Sequence, residues 1–265
     1  MINLEYKDLL DAGVHFGHLT RKWNPKMAPY IFMERNGIHI IDLNKTLVAL
    51  NTACEAVKKI VRAGRKVLFV ATKKQAKEIV AEEARRLKMP YVTERWLGGM
   101  LTNFITIRKS LKKLSSIEKL IRDEHSYNNL AKRERLLLLR ERDKLQKVLG
   151  GIADQAKLPA ALFVVDIKRE HIAVKEAQRL NIPVFAIVDT NSDPTLVDYP
   201  IPGNDDAFKS IQLITSTFGK AIEEALLERK REKDESKLKE EENQKREIEE
   251  PPVTTPEAEE ESEGQ

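Results

Sequence analysis

Two segments of the chain, residues 160–166 and 183–189, are apolar through almost their whole length and end on a carboxylate. A run that is apolar on both faces, rich in Val and bounded by turn residues, favours the centre of a parallel sheet covered by helices on each side. The stretch between them carries apolar residues at helical spacing: Ile172, Ala173, Ala177 and Leu180. The pattern predicts a β-α-β unit.

The first half of the chain repeats this alternation of buried strands and one-sided helices. Strands are predicted at residues 37–42, 66–72 and, as a short element, 91–93. The helix after the first strand has one apolar face and stops at Gly64, and the helix after the second stops at Pro90. This β-α-β-α-β order is typical of a doubly wound α/β sheet.

Residues 103–149 interrupt the alternation, because they contain no strand candidate. Leucine and isoleucine recur there about every 3.5 residues in two helical runs, which are separated by a polar turn at 123–129. The pattern predicts an inserted antiparallel helical hairpin of the coiled-coil type. It has 13 Lys/Arg against 6 Asp/Glu, a net charge of +7. Such a hairpin could grip a folded RNA, dock on another protein or act as a solvated spacer.

The two ends of the chain differ in character. A short helix is predicted over 5–12, ended by Gly13. A strong amphipathic helix follows Asp205 and Asp206, either of which can cap it. After Leu227 the chain is mostly Lys and Glu with almost no apolar residues, which predicts a disordered or fraying tail. The predicted domains are an α/β domain over 1–102 and 150–227, the hairpin over 103–149 and an acidic tail over 228–265.

The composition fits a globular protein with a large core, since 41% of the 265 residues are hydrophobic. No apolar run approaches the roughly 20 residues that span a bilayer, and the N-terminus lacks the pattern of a signal peptide. We therefore expect a cytoplasmic protein with no membrane partner. The single cysteine, Cys54, lies on an apolar helical stripe, which excludes a disulfide framework or a cysteine metal cluster within the chain.

The net charge of +4 hides an asymmetry between the body and the tail. Residues 228–265 have 8 Lys/Arg against 15 Asp/Glu, a net of −7, so residues 1–227 have 38 against 27, a net of +11. A strongly basic body indicates a polyanionic partner, and RNA or DNA is the commonest one. The alternative is a soluble enzyme with surplus surface lysine.

Cations alternate with aromatic residues in the segment 20–30. Arg21, Lys22 and Lys26 flank Trp23 there, and two prolines keep the segment from becoming a helix. Cations next to aromatic faces suit phosphates and unstacked bases. The alternative is that the aromatic residues only pin the loop to the body.

Other polar motifs follow the predicted strands. Lys73 and Lys74 begin the segment after a buried strand and could hold a phosphate, although lysines are also common on such surfaces. A divalent ion could be held where strand ends converge, by one histidine and several carboxylates. The candidate ligands are His18, Asp189, Asp193 and Asp205. The same aspartates could equally be turn and cap residues.

The sequence offers no evident catalytic centre. It contains no G-x-G-x-x-G, no Walker loop and no G-x-S-x-G, and Cys54 is in the middle of a predicted helix. No resident cofactor is expected apart from the possible divalent ion. An α/β enzyme or nucleotide-binding protein that uses the strand ends remains the second hypothesis.

Several long motifs, in order, resemble the bacterial small-subunit ribosomal protein "S two" family over about residues 1–227. These motifs are Ala12-Gly-Val-His-Phe-Gly-His18, Arg95-Trp-Leu-Gly-Gly-Met-Leu-Thr-Asn103, Leu162-Phe-Val-Val-Asp166 and Asp198-Tyr-Pro-Ile-Pro-Gly-Asn204. The resemblance implies a Rossmann-like or flavodoxin-like parallel sheet flanked by helices, with an inserted helical hairpin. Residues 155–157 and the long acidic tail depart from the family pattern.

The resemblance also implies a role without catalysis in translation. The family is a constituent of the small ribosomal subunit, contacts 16S ribosomal RNA and neighbouring ribosomal proteins, and helps dock the OB-domain protein "S one"; a homo-oligomer is not expected. By motif, the resemblance makes eight residues candidate RNA contacts: Arg21, Lys22, Trp23, Lys26, Arg95, Trp96, Asn103 and Arg108.

Overall fold

A computed structural model describes residues 4–249, without the side chains of residues 124, 126, 233 and 236–249. Its helices are α1 Tyr6–Asp11, α2 Leu43–Arg62, α3 Lys77–Arg86, α4 Phe104–Arg122, α5 Glu124–Asn128, α6 Lys132–Leu149, α7 His171–Arg179 and α8 Phe208–Glu249. Its strands are β1 Phe16–Leu19, β2 Ile31–Arg35, β3 Ile38–Ile41, β4 Val67–Val70, β5 Tyr91–Val92, β6 Ala161–Val165, β7 Val184–Val188 and β8 Tyr199–Pro202. Short 3-10 turns lie at Thr20–Lys22, Pro25–Tyr30, Gly150–Ile152 and Pro194–Leu196.

A five-stranded parallel sheet in the order β5-β4-β6-β7-β8 forms the centre of the fold. Every residue of β4, β6 and β7 is buried, as the apolar runs predict. In the register of the ladder, Val67 lies opposite Ala161 and Leu162 opposite Val184. The mixed α/β fold with helices flanking a parallel sheet is therefore confirmed.

Alternate side chains of the strands enter two separate apolar layers, because successive residues of a strand point to opposite faces. On one face, Phe69, Phe163 and Phe185 pack with α2, α3 and α8. Phe218 of α8 stacks on Phe163 with ring centroids 4.6 Å apart. On the other face, the even-numbered strand residues pack with α7, the segment around Trp96 and the sheet-proximal ends of α4 and α6.

The predicted strand at 37–42 exists as β3, but its placement in the parallel sheet is wrong. β3 is the middle strand of a separate antiparallel sheet in the order β1-β3-β2. Asn36 and Gly37 connect β2 to β3 with positive φ of 52° and 72°. An Asn-Gly pair with this backbone forms the tight turn that reverses a hairpin. Sequence periodicity missed β1 and β2, which are mostly exposed and lack a clean alternation.

β8 was also missed, since its segment reads as a series of turn residues. It contains Pro200 and Pro202 and lies at the edge of the parallel sheet, next to β7. A proline has no N–H to donate, so an edge is where a strand tolerates it.

Two long helices occupy residues 103–149, as predicted, and the polar turn between them contains the short α5. α4 and α6 contact each other, and Lys113 of α4 forms an ion pair with Glu141 of α6. Leu114 and Ile117 of α4 and Leu149 of α6 are buried. The coiled-coil character of this segment stays a prediction.

The last helix, α8, begins at Phe208, after Asp205 and Asp206 as predicted, but neither aspartate is seen to cap it. Asn204, rather than Asp205 or Asp206, accepts hydrogen bonds from the backbone N–H groups of residues 206 and 207. The chain divides into two compact units after Leu226, and α8 belongs to the first unit up to that residue. Helical backbone continues to Glu249, whereas residues 250–265 of the predicted tail lie outside the described residues.

The structure also bears on two expectations from the sequence, the lack of a membrane-spanning segment and the burial of Cys54. None of their helices is long and apolar enough to cross a membrane. Cys54 is buried in the core, and burial raises the pKa of its thiol to about 12. Its side chain therefore stays protonated and acts as a small apolar residue.

We expect Phe163→Ala to lower the free energy of unfolding by about 3–5 kcal/mol, because it leaves a cavity beside the rings of Phe69 and Phe218. Urea unfolding followed by circular dichroism measures the change. Phe32→Ala is the control, since the Phe32 side chain is 69% exposed, and it should cost less than about 0.5 kcal/mol. Equal effects of the two substitutions would contradict the assignment of the core.

Candidate functional site

The basic segment 20–30 is held firmly against the end of β7. Met27 is fully buried beneath it, and the Asn24 backbone N–H donates to the Thr190 carbonyl at 2.8 Å. Arg21 and Lys22 are exposed at the surface. These two cations are therefore presented to solvent by a fixed backbone.

Trp23 and Lys26 in this segment both have partners within the chain. Trp23 is 38% exposed, and its ring lies 5.0 Å from that of His39. Lys26 Nζ lies 2.7 Å from Asp193 Oδ2 and 3.3 Å from Thr195 Oγ1. Burial opposes ionisation of Asp193, but the hydrogen bonds from Lys26 and Thr195 outweigh it, so the pKa of Asp193 is lowered. Lys26 thus already has a counter-ion.

A second set of charged residues lies where β4, β6 and β7 end, and we call it the polar cluster. It consists of His18, Lys73, Asp166, Asp189, Asp205 and Asp206. Gly17 permits the approach of β1 to this place, since a Cβ there would come within 2.6 Å of the Thr190 side chain. The His18 backbone N–H then donates to Thr190 Oγ1 at 2.8 Å.

Lys73 is the internal counter-ion of the polar cluster. Its Nζ lies 2.6 Å from Asp205 Oδ1, 2.7 Å from Asp206 Oδ1 and 3.7 Å from Asp166 Oδ2. The residue is only 9% exposed. Its charge is balanced by the buried Asp205, the partly buried Asp166 and the exposed Asp206. Its role as a phosphate contact stays a prediction, which this pairing does not favour. Neighbouring Lys74 is exposed.

His18 and Asp205 carry the unusual electrostatics of the polar cluster. His18 Nδ1 lies 3.0 Å from Asp189 Oδ2, and this hydrogen bond raises the pKa of His18 although burial lowers it. Asp205 is fully buried. Burial, followed by the charges of Asp189 and Asp166, raises the pKa of Asp205 to about 7, against the effect of Lys73. Among the described residues, Asp205 Oδ2 has no hydrogen-bond partner.

The predicted metal ligands separate into two groups. His18, Asp189 and Asp205 each offer an atom within 4.8 Å of the others. Asp193 is outside this group, because it accepts from the Thr195 backbone N–H and pairs with Lys26. Asp193 caps the short turn at Pro194–Leu196, as the alternative interpretation held. Its role as a metal ligand stays a prediction, which these contacts do not favour.

The segment 96–103 is organised by one buried carboxylate on α7, that of Glu176. Glu176 Oε1 accepts from Trp96 Nε1 at 3.1 Å and from the Gly99 N–H at 2.7 Å. Glu176 Oε2 accepts from the Leu101 N–H at 3.0 Å and from the Thr102 N–H and Oγ1 at 3.0 and 3.1 Å. We call this arrangement the Glu176 clamp.

The Glu176 clamp decides which residues of its segment face solvent. Trp96 is 6% exposed and donates its indole N–H inward, so its ring is largely covered by the fold. Its role as an RNA contact stays a prediction, which this burial does not favour. Arg95, Asn103 and Arg108 are exposed around the clamped segment. Sequence reasoning missed Glu176, although an acidic residue on the apolar stripe of a predicted helix was the available signal.

We expect Glu176→Gln to lower the free energy of unfolding by about 2–3 kcal/mol at neutral pH, because an amide cannot accept five hydrogen bonds. Burial raises the pKa of Glu176, but the donated hydrogen bonds outweigh burial and lower it overall. A carboxylate with a lowered folded pKa stabilises above its unfolded pKa, and this stability is lost as the pH falls through the folded value.

The difference between wild type and Glu176→Gln in urea unfolding should therefore shrink between neutral pH and about pH 3. Glu55→Gln is the matched control, since Glu55 is exposed on α2, and it should change stability by less than about 0.5 kcal/mol. A Glu176→Gln variant as stable as this control at neutral pH would contradict the clamp.

Comparison with known proteins gives a consistent result. Residues 9–225 match the family model described as "Ribosomal protein S2". The chain is 73% identical over 243 residues to the small ribosomal subunit protein uS2 of Cytophaga hutchinsonii, which covers 92% of this chain and 95% of the relative. It is 65% identical over 231 residues to the protein of the same name from Flavobacterium johnsoniae, covering 87% and 91%.

The protein of that name from Porphyromonas gingivalis is 61% identical over 233 residues, covering 88% of this chain and 83% of the relative. The family match spans both sheets, the basic segment, the polar cluster and the Glu176 clamp. The resemblance noted in the sequence is therefore confirmed, and the chain belongs to the ribosomal protein S2 family.

Proposed function

We propose that this chain binds 16S ribosomal RNA through exposed cations on a rigid α/β scaffold. The observation that carries the proposal is the fixed presentation of Arg21 and Lys22 beside the partly exposed Trp23. Exposed arginine and lysine attract phosphate, and an exposed aromatic face can stack on a base. The net charge of +11 over residues 1–227 supports a polyanionic partner.

Family membership confirms the coarser part of this function: the chain is a structural protein of the small ribosomal subunit that acts in translation on the ribosome. It also confirms that the protein is not an enzyme, since the family is structural. The enzyme hypothesis is therefore wrong.

A further part of the proposal concerns the two long helices of residues 103–149. We infer that α4 and α6 form an antiparallel coiled-coil hairpin inserted in a Rossmann-like domain over 1–102 and 150–227. The Lys113–Glu141 ion pair and the buried seam residues support the pairing of the two helices. Arg108 at the base of the hairpin is exposed and is a candidate RNA contact, together with Arg95, Asn103 and Lys74.

Protein partners are part of the proposal as well. The relatives are small ribosomal subunit proteins by name, which supports contacts with neighbouring ribosomal proteins. Docking of the OB-domain protein "S one" rests on the family resemblance alone. Residues 228–265 have a net charge of −7, so we propose that their partner is a protein and not RNA.

A second proposal concerns the polar cluster: His18, Asp189 and Asp205 bind a divalent cation that completes the structure. One imidazole nitrogen with carboxylate oxygens is a donor set that Zn²⁺ and Mn²⁺ accept. The buried, unpartnered Oδ2 of Asp205 favours the proposal, because a buried carboxylate oxygen without a partner is costly. Lys73 neutralises the other oxygen of Asp205 and leaves this one available.

We expect the double substitution Arg21→Glu and Lys22→Glu to weaken binding of the full chain to 16S ribosomal RNA while leaving it folded. The slope of log affinity against log salt should become shallower by about 0.7–0.9 for each phosphate that the variant no longer neutralises. Filter binding over a range of KCl concentrations measures both quantities.

Lys59→Glu with Lys220→Glu is the matched control for that experiment, since both lysines are exposed on helices of the sheet face opposite α7. The control changes the net charge equally and should keep the wild-type slope. Identical slopes for the Arg21/Lys22 variant and wild type would refute the placement of the contacts.

For the cation, we expect protein dialysed against a chelator and then against Zn²⁺ or Mn²⁺ to retain an equimolar amount of metal by elemental analysis. His18→Ala and Asp205→Asn should lose it, because each removes a ligand. Asp193→Asn should retain it, because Asp193 lies outside the cluster. Near-zero metal in wild type, or equal content in wild type and His18→Ala, would rule the site out.

A further inference from the structure

We propose that the outward face of α7, with the turn before it, is a second RNA-binding surface that takes the phosphate backbone of small-subunit ribosomal RNA. The inference rests on the proposed function in one respect, namely that the polyanion is RNA. We call this surface the α7 cationic face. It comprises Lys168, Arg169, His171, Lys175 and Arg179, all of which are exposed.

In residues 168–179 the acidic side chains face the protein interior and the basic side chains face solvent. Residues 168–179 contain two acidic side chains, Glu170 and Glu176, and they are only 3% and 8% exposed. Glu170 accepts from the Thr72 backbone N–H at 3.0 Å and from the Thr72 hydroxyl. Glu176 makes the clamp. Both carboxylates are thus committed inside the fold, and the outer side of the segment keeps the cations.

Three basic side chains on α7 form a regular row. His171, Lys175 and Arg179 are spaced by four residues, which places them on one side of a helix. At 1.5 Å per residue the row is about 12 Å long, enough to follow several phosphates of one strand. Within the described part of the chain, Lys175 and Arg179 have no carboxylate partner. Their charges are therefore available for a ligand.

The α7 cationic face is joined to surface that already holds RNA-contact candidates. A shallow depression of about 300 Å³ lies between the helix and the clamped segment, lined by Thr102, His171, Ile172, Lys175, Glu176 and Arg179. Glu176 binds the segment from below, so Arg95 and Asn103 are held at a fixed position relative to the row. Thr102, the neighbour of Asn103, therefore lies against the row.

The chemistry of the face favours RNA over an acidic protein. Protein interfaces have an apolar centre and are depleted in lysine. Ile172 is the one large apolar side chain on the exposed side of the α7 row that the structure describes, at 44% exposure. A surface of cations around a single aliphatic residue resembles a phosphate-binding surface instead.

The first test compares two neutralised variants of the full chain in filter binding to 16S ribosomal RNA. The test variant has Lys175→Gln and Arg179→Gln, and the control has Lys59→Gln and Lys220→Gln on the opposite face of the sheet. Removing two phosphate contacts should lower the salt slope by about 2 for the test variant. The control should keep the wild-type slope, and both should unfold at the wild-type urea concentration.

The second test asks which molecule covers the face in the assembled subunit. A photo-crosslinking amino acid in place of Ile172, in small subunits purified from cells, should give an adduct with ribosomal RNA. An adduct with a protein, or no adduct in subunits that contain the chain, overturns the inference, as do equal salt slopes for the test and control variants.

Failure of this inference is distinguishable from failure of the proposed function. Suppose that wild type binds 16S ribosomal RNA with a steep salt dependence, that the Arg21/Lys22 variant has a shallower slope and that the Lys175/Arg179 variant keeps the wild-type slope. The α7 cationic face is then excluded, whereas the basic segment 20–30 is not. If wild type itself does not bind the RNA, both proposals fail.

Discussion

The structure depends on the burial of a parallel sheet that is apolar on both faces. Because β4, β6 and β7 expose no residue, each face must be covered, and the chain covers one with α2, α3 and α8 and the other with α7, the clamped segment and the ends of α4 and α6. Polar side chains are then left at the strand ends and on the outer surfaces of the covering elements. The covered sheet thus fixes the positions of the charged side chains that its covering elements present to solvent.

Acidic and basic residues have different roles around this sheet. Asp189, Asp205, Glu170 and Glu176 are buried and accept hydrogen bonds or pair with cations inside the fold. Each buried carboxylate ties segments that are far apart in sequence, as Glu176 does for the segment 96–103. With these acids turned inward, the outer surface of α7 is left strongly basic. The same arrangement therefore stabilises the fold and prepares a surface for a polyanion.

The sequence predicted what periodicity and apolar runs can reveal. The central strands, the β-α-β unit around α7 and the two helices of residues 103–149 were all found from spacing alone. The edge strand β8 was missed because Pro200 and Pro202 read as turn residues, and β3 was put in the wrong sheet because strand pairing is a long-range property.

The candidate site was harder to predict, because the role of a charged residue depends on its partners. Lys73 and Lys74 look alike in the sequence, yet Lys73 is buried and pairs with the buried Asp205, whereas Lys74 is exposed. The sequence around Trp96 suggests a ring that stacks on a base. In the structure its N–H donates to Glu176, 80 residues away, which the sequence does not reveal. The family motifs identified segments that are candidates for RNA binding, but a motif does not show whether each of its side chains faces solvent or the protein interior.

The central claim is that charge neutralisation holds this scaffold on ribosomal RNA. The most direct measurement is sedimentation of a cell extract through sucrose gradients of increasing salt, with the native protein detected in each fraction. The account predicts that the protein travels with small subunits at low salt and is progressively released as salt rises, because phosphate contacts release counterions. Native protein found in the free pool at low salt, or association that is indifferent to salt, would contradict it.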